Sequence, residues 1–140
     1  MSPASSPAGG PRADRAPAPS SRGGTESAEP RTAVETWLAR RLDEIPADLA
    51  LAVRRLLGRA SGLTDAHMAE ASIAGFERVA SGAGDRDRAL ELLAADALLT
   101  YAFEAAADPA LGGSAARAAA LADRFGPQGE LGRRCVRRGR

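Results

Sequence analysis

Between Asp85 and Pro109 the chain reads DRDRALELLAADALLTYAFEAAADP, a run in which apolar positions occupy most of a helical circumference. A helix that shows one face to water needs an apolar stripe only about 100° wide. Past the first turn, the polar residues here are Glu91 and a row at Asp96, Thr100, Glu104 and Asp108, and steps of four keep that row on one slowly drifting side. The pattern predicts a central helix surrounded by others. Asp85 is its expected N-cap, Asp87 lies near the positive end of its dipole, and Asp108-Pro109 ends it.

Shorter apolar patterns flank this segment. Thr32 and Glu35 have the spacing of a capping box, and Val34, Trp37, Leu38, Leu42 and Ile45 then recur on one face of a first helix that Pro46 stops. Pro46 can also open a second helix, with Leu49, Val53, Leu56 and Leu57 inside, Arg54, Arg55 and Arg59 outside, and Gly62 as its expected C-cap. A third helix starts after Thr64, with Leu63 and Met68 at the spacing of a hydrophobic staple. It continues through Ile73, Phe76 and Val79, and the small residues Ala71, Ser72 and Gly75 predict a close helix crossing. Ser81 to Gly84 form a linker, and a fifth helix runs from a Ser114 cap to Phe125 before Gly126-Pro127. Gly129 to Arg140 carry little helical pattern. Trp37, Leu56, Phe76, Leu93, Leu99, Phe103 and Leu121 are the expected core.

The fold expected is all-α, a small bundle of four to five helices behind a disordered N-terminal tail. Strand patterns are nearly absent, and no apolar run reaches the 18 residues of a membrane span. The tail is residues 1–30, which hold six of the nine prolines, four glycines and six serines. From Ser2 to Ala33 there is no Leu, Ile, Val, Phe, Tyr or Trp, so nothing offsets a backbone entropy of about 1–2 kcal/mol per residue. The bundle is assigned to 31–127 and a basic C-terminal tail to 128–140. Residues 1–30 also lack the apolar stretch of a secretory signal.

Charge adds an asymmetry that the net value of +1 conceals. Residues 32–132 hold ten Arg against fifteen acids, whereas residues 133–140 hold five Arg and no acid. All nineteen basic residues are Arg and none is Lys, a bias that resembles GC-rich codon usage and weakens any argument from arginine content alone. A single cysteine rules out an internal disulfide and fits a reducing compartment, so a cytoplasmic location is expected.

Candidate chemistry is sparse. His67 is the only histidine, and Asp65 and Glu70 beside it do not make a specific ligand set, so it is read as a solvent-facing residue. Cys135 has arginine neighbours that favour the thiolate, but no second histidine completes a nucleophile–base pair. Asp96 lies mid-helix among alanines and leucines. It is either a costly buried carboxylate with a function or, with Thr100 and Glu104, the wet edge of its helix. Arg133, Arg134, Arg137 and Arg138 form a basic cluster that can neutralise phosphates, without an interleaved aromatic for base stacking. No catalytic residue, metal or cofactor is expected.

Ala94 to Glu104, AADALLTYAFE, resembles the AGDALLTxAFE helix of the trans-isoprenyl diphosphate synthases, and Gly126 to Gly132, GPQGELG, is similar to that family's GxxGMxxGQ segment. The resemblance covers about residues 90–132. It implies an all-α fold and, in that family, condensation of allylic diphosphates with isopentenyl diphosphate on magnesium held by aspartate-rich motifs. This chain has no DDxxD motif, its nearest acid pair is Asp85 and Asp87, and Arg133 and Arg134 stand where the family has Gly-Gln. Neither magnesium nor catalysis is therefore carried over.

The functional expectation is a non-catalytic interaction or accessory protein, self-associating or bound to a protein partner through the apolar central helix. Asp96, Thr100, Glu104 and the four arginines are its candidate interaction residues. Two other readings stay open: a degenerate or truncated prenyl synthase relative that holds an isoprenoid chain, and a nucleic-acid-associated protein that uses the basic tail.

Overall fold

The computed structural model describes residues 32–82 and 84–138, so residues 1–31 lie outside it, the expected tail among them. Six α-helices and one 3₁₀ turn follow in order: α1 (Ala33–Asp43), α2 (Ala47–Leu57), α3 (Asp65–Ala80), α4 (Arg86–Ala107), the turn Pro109–Leu111, α5 (Ala115–Phe125) and α6 (Glu130–Arg138). The described residues contain no strand. The chain is a small all-α bundle.

Local chemistry sets the helix starts. Thr32 Oγ1 accepts a hydrogen bond from the Glu35 amide at 3.2 Å, and Glu35 Oε2 accepts one from the Thr32 amide at 3.0 Å, which completes the capping box. Glu35 reaches further: its Oε1 accepts from the amides of Gly62 and Leu63, both at 3.1 Å, and ties α1 to the α2–α3 connection. Thr64, Asp85 and Ser114 cap α3, α4 and α5 through their side-chain oxygens. The end of α2 falls earlier than the sequence pattern suggests. Gly58, at φ +64°, closes the helix, and Gly62, also left-handed at φ +73°, turns the loop that follows.

The centre of the bundle is α4, packed along α3 and flanked by α2 and α5. Its inward side is made almost entirely of small residues: Ala94, Ala95, Ala102, Ala105 and Ala106, with Leu98 the one large group among them. Such a surface lets α3 come close. A Cβ built on Gly75 would stand 3.0 Å from Ala95 Cβ and 3.3 Å from Leu56 Cδ1, and Ser72 Oγ donates to the Ala95 carbonyl at 2.7 Å. The expected close crossing is present. Met68, Ile73, Leu98 and Val53 are the largest fully buried apolar side chains.

Two expectations are corrected. The neighbouring helices leave part of the central helix uncovered, with Leu92 and Leu93 43 % and 57 % exposed. Leu93 therefore leaves the expected core, and Trp37, Leu56, Phe76, Leu99 and Phe103 are half-buried while Leu121 is buried. Close packing along the alanine side moves the core inward, away from the large residues that the apolar pattern singles out. Lastly, residues 130–138 form a helix where little helical pattern was expected. It is held to the bundle by polar contacts, since Arg134 bridges Glu77 of α3 and Glu130 of its own first turn.

A candidate interaction surface on the central helix

The face of α4 turned away from the core begins with Ala89, Leu92 and Leu93 and continues through Asp96, Thr100 and Ala107, all exposed. Leu99 and Phe103 flank it and pack partly on the core. Asp96 and Thr100 sit at the wet edge of the helix, and no ion pair or hydrogen bond engages either side chain among the described residues. Of the two readings of Asp96, the buried carboxylate is thus excluded.

Glu104, the next member of the row, is drawn sideways to α1. Its Oε2 lies 3.0 Å from Arg41 Nη2 and is itself shut off from solvent, so that ion pair is its only polar contact. The Arg41 guanidinium also lies 5.2 Å from the Trp37 ring centroid, and Trp37 meets Tyr101 edge to face at 6.0 Å. Burial raises the pKa of the Tyr101 hydroxyl, and the Glu104 charge adds to the shift. Both Arg41 and Glu104 remain about 40 % exposed, so the pair is worth less than about 1 kcal/mol and serves mainly to orient α1. Glu104 is a positioning residue for the bundle, separate from the open end of α4.

The four C-terminal arginines divide. Arg133 donates to the Gln128 carbonyl at 3.2 Å, Arg134 is taken up by Glu77 and Glu130, and Arg137 is exposed beside Arg133 one turn away. Arg133 and Arg137 share a shallow depression with Pro127, Gln128, Gly132 and Val136. The side chains of Cys135 and Arg138 lie outside the described residues.

Sequence reasoning missed two features. Asp65 is only 5 % exposed, and Arg117 at the start of α5 donates to both of its carboxylate oxygens side-on, from Nε at 2.8 Å and from Nη2 at 2.6 Å. That hydrogen-bonded charge holds the Asp65 carboxyl below its ordinary range against the opposing cost of burial. The partners are 52 residues apart in sequence, and nothing local marks them as a pair. With Asp65 committed to Arg117, His67 is left exposed, and no group of three or more His, Cys, Asp or Glu able to hold a metal exists among the described residues.

The second missed feature is a groove of about 310 Å³ where the end of α2 meets the start of α4. Ala52, Arg55 and Leu56 form one wall, Asp87, Leu90 and Glu91 the other, and Arg78 of α3 closes the end by pairing with Glu91 at 2.6 Å. Leu51, 49 % exposed, lies one turn before Arg55, and Leu93 lies one turn after Leu90. The groove and the open face of α4 are thus continuous through Leu90 and Leu93. The bipolar pattern of α2, arginines outside and leucines inside, conceals that Leu51 faces outward.

No helix among the described residues is long and apolar enough to cross a membrane. Comparison of the chain with protein-family models, with curated proteins and with solved structures finds no match.

Proposed function

We propose that this chain is a non-catalytic α-helical interaction protein of the cytoplasm that binds a protein, itself or another, through the open face of α4. The observation that carries this reading is the pair Leu92 and Leu93, exposed side by side at the start of a helix whose opposite side is packed on alanines. Leu99 and Phe103, half-buried, extend the same apolar strip. Covering such a strip is worth about 25 cal/mol per Å², so even a few hundred Å² gives a drive to associate. The polar residues on the strip, Asp96 and Thr100, have their hydrogen-bonding capacity open to a partner. They would set orientation and register more than affinity.

Native mass spectrometry of the protein purified from its own cells, paired with a Leu92→Ser/Leu93→Ser variant, tests the reading. A complex is expected from the unaltered chain and its loss from the variant, with helical content unchanged. A bare monomer that binds no hydrophobic dye at tens of micromolar would overturn it.

A second reading has a narrower basis. Arg133 and Arg137 are exposed, four residues apart and unpaired with any acid among the described residues, an arrangement suited to two phosphates of a nucleic acid. Binding through them weakens steeply with salt and is lost in Arg133→Ala/Arg137→Ala.

A further inference from the structure

The groove between α2 and α4 has unpaired charge of opposite sign on its two walls. Arg55 on the α2 wall and Asp87 on the α4 wall are both exposed, and neither pairs with the other or with any described residue. The difference extends along each helix. The outer side of α2 and the loop after it carry Arg54, Arg55 and Arg59 against Asp48, whereas the start and outer side of α4 carry Asp85, Asp87 and Asp96 against Arg86 and Arg88. Exposed leucine lies beyond the groove on each helix: Leu93 one turn after Leu90 on α4, and Leu51 one turn before Arg55 on α2, where it borders a second depression with Ile45 and Arg54.

We propose that the occupant of this groove is a second copy of the chain, related by a two-fold axis running along the groove, so that α2 of each copy lies on α4 of the other. The proposal rests on the interaction reading above and names the partner. A two-fold axis is the operation that brings unlike walls of one surface together twice over, net positive α2 against net acidic α4. It preserves position along the groove, and Arg55 and Asp87 line the same groove, so Arg55 of one copy meets Asp87 of the other.

The leucines follow the same register. The first turn of α2 follows the end of α1, whose Arg41 reaches Glu104, while the last turn of α2 shares the groove with Asp87 and Leu90. The two helices are therefore antiparallel, and the step from Arg55 back to Leu51 runs the same way as the step from Leu90 on to Leu93. Leu51 of one copy thus comes onto Leu93 of the other. The N-terminal segment is a poor rival occupant, because from Ser2 to Ala33 it has no Leu, Ile, Val, Phe, Tyr or Trp to place among them. The two helix walls are short, so the interface belongs to the small, reversible class and association is expected in the micromolar range.

Sedimentation equilibrium of the full chain across the micromolar range reads the outcome. Dimers are expected, weakened by added salt. Arg55→Glu and Asp87→Arg should each weaken the dimer by about tenfold or more, and the double variant should return it to within about threefold of the unaltered chain, because the exchanged charges meet again across the axis. Circular dichroism confirms that each variant keeps its helices. If Arg55→Glu fails to fold, Arg55→Gln, which removes the charge without reversing it, should weaken the dimer in the same direction. A chain that stays monomeric, or one found only with a different protein, overturns the pairing, and in the latter case the interaction reading survives. A dimer indifferent to both charge reversals, yet lost in Leu92→Ser/Leu93→Ser, also overturns it and places the contact on the α4 face alone.

Discussion

The two sides of α4 invert the usual distribution of side-chain size. Its inner side, against α3, is alanine with a single leucine at Leu98, and its outer side at the start carries Leu92 and Leu93. The inner side is small because two helices approach until a Cβ at Gly75 would touch Ala95. Dispersion there comes from many close backbone-to-backbone contacts, so large side chains are not needed and would not fit. The outer side has no close neighbour to limit its residues, and the large apolar groups Leu92 and Leu93 there stay largely open to water. Size on this helix therefore divides by side: small groups pack against the bundle, and the large groups Leu92 and Leu93 lie at its surface.

Substitutions on the inner side should have the largest effects. Leu98 is fully buried, and Leu98→Ala is expected to cost about 2–5 kcal/mol, read as a lowered denaturant midpoint. A loss under about 0.5 kcal/mol, the range of surface changes, would mean that the alanine side is not the core. Gly75→Val works in the opposite sense by adding volume. Ala95 Cβ and both methyls of Leu56 stand 3.0–3.3 Å from the new Cβ, and although the Leu56 methyls can turn aside, Ala95 Cβ is fixed to the backbone of α4. About 1–3 kcal/mol is expected, and pairing the change with Ala95→Gly should recover part of it.

These effects also show what the sequence makes legible. Capping pairs such as Thr32–Glu35 and breakers such as Pro46 act within a few residues, and the helices they delimit lie close to where the sequence pattern sets them. The close crossing at Gly75 was also readable, since small residues in a run admit a neighbour wherever it comes from. The polar row through Asp96 and Thr100 marks the outer side of α4, but an apolar pattern covering most of the circumference does not show which large residues join that side, and α3 packing on the alanines leaves Leu92 and Leu93 there. Asp65 and Arg117 were hidden for a different reason, being ordinary helix-start residues until the fold joins α3 to α5. Of the candidate surface, the sequence marks the polar row at Asp96 and Thr100, whereas the exposure of Leu92 and Leu51 and the α2–α4 groove exist only once both helices are in place.

The Asp65–Arg117 pair sits between the two extremes, a charge half inside the bundle. Arg117 is about half exposed, which screens the pair, so Arg117→Ala is expected to cost about 1–3 kcal/mol, chiefly by leaving the buried carboxylate unsatisfied. The pH dependence has a definite sign. The folded-state pKa of Asp65 lies below its unfolded value, so the pair's contribution is fully present above the unfolded pKa of about 3.9 and disappears as pH falls through the lower folded value. Denaturation midpoints measured from neutral pH downward should therefore converge for the unaltered chain and Asp65→Asn in acid. Curves that stay parallel to the lowest pH reached would show that Asp65 does not carry this dependence.

The smallest effect on folding is expected at the outer leucines, and that smallness is informative. Leu93 is more than half exposed, so Leu93→Ser removes little area that folding had buried and should shift the unfolding free energy of the dilute monomer by less than about 0.5 kcal/mol. The same change should reduce any association through α4, because it removes the apolar group that a partner would cover. Concentration separates the two contributions. If association stabilises the fold, the melting temperature of the unaltered chain rises with protein concentration by mass action, and that of Leu93→Ser does not. At the lowest concentration the two curves should coincide. A gap that persists on dilution would mean that Leu93 is buried within the monomer, and the distinction between an inner side that folds and an outer side that binds would fail at this residue.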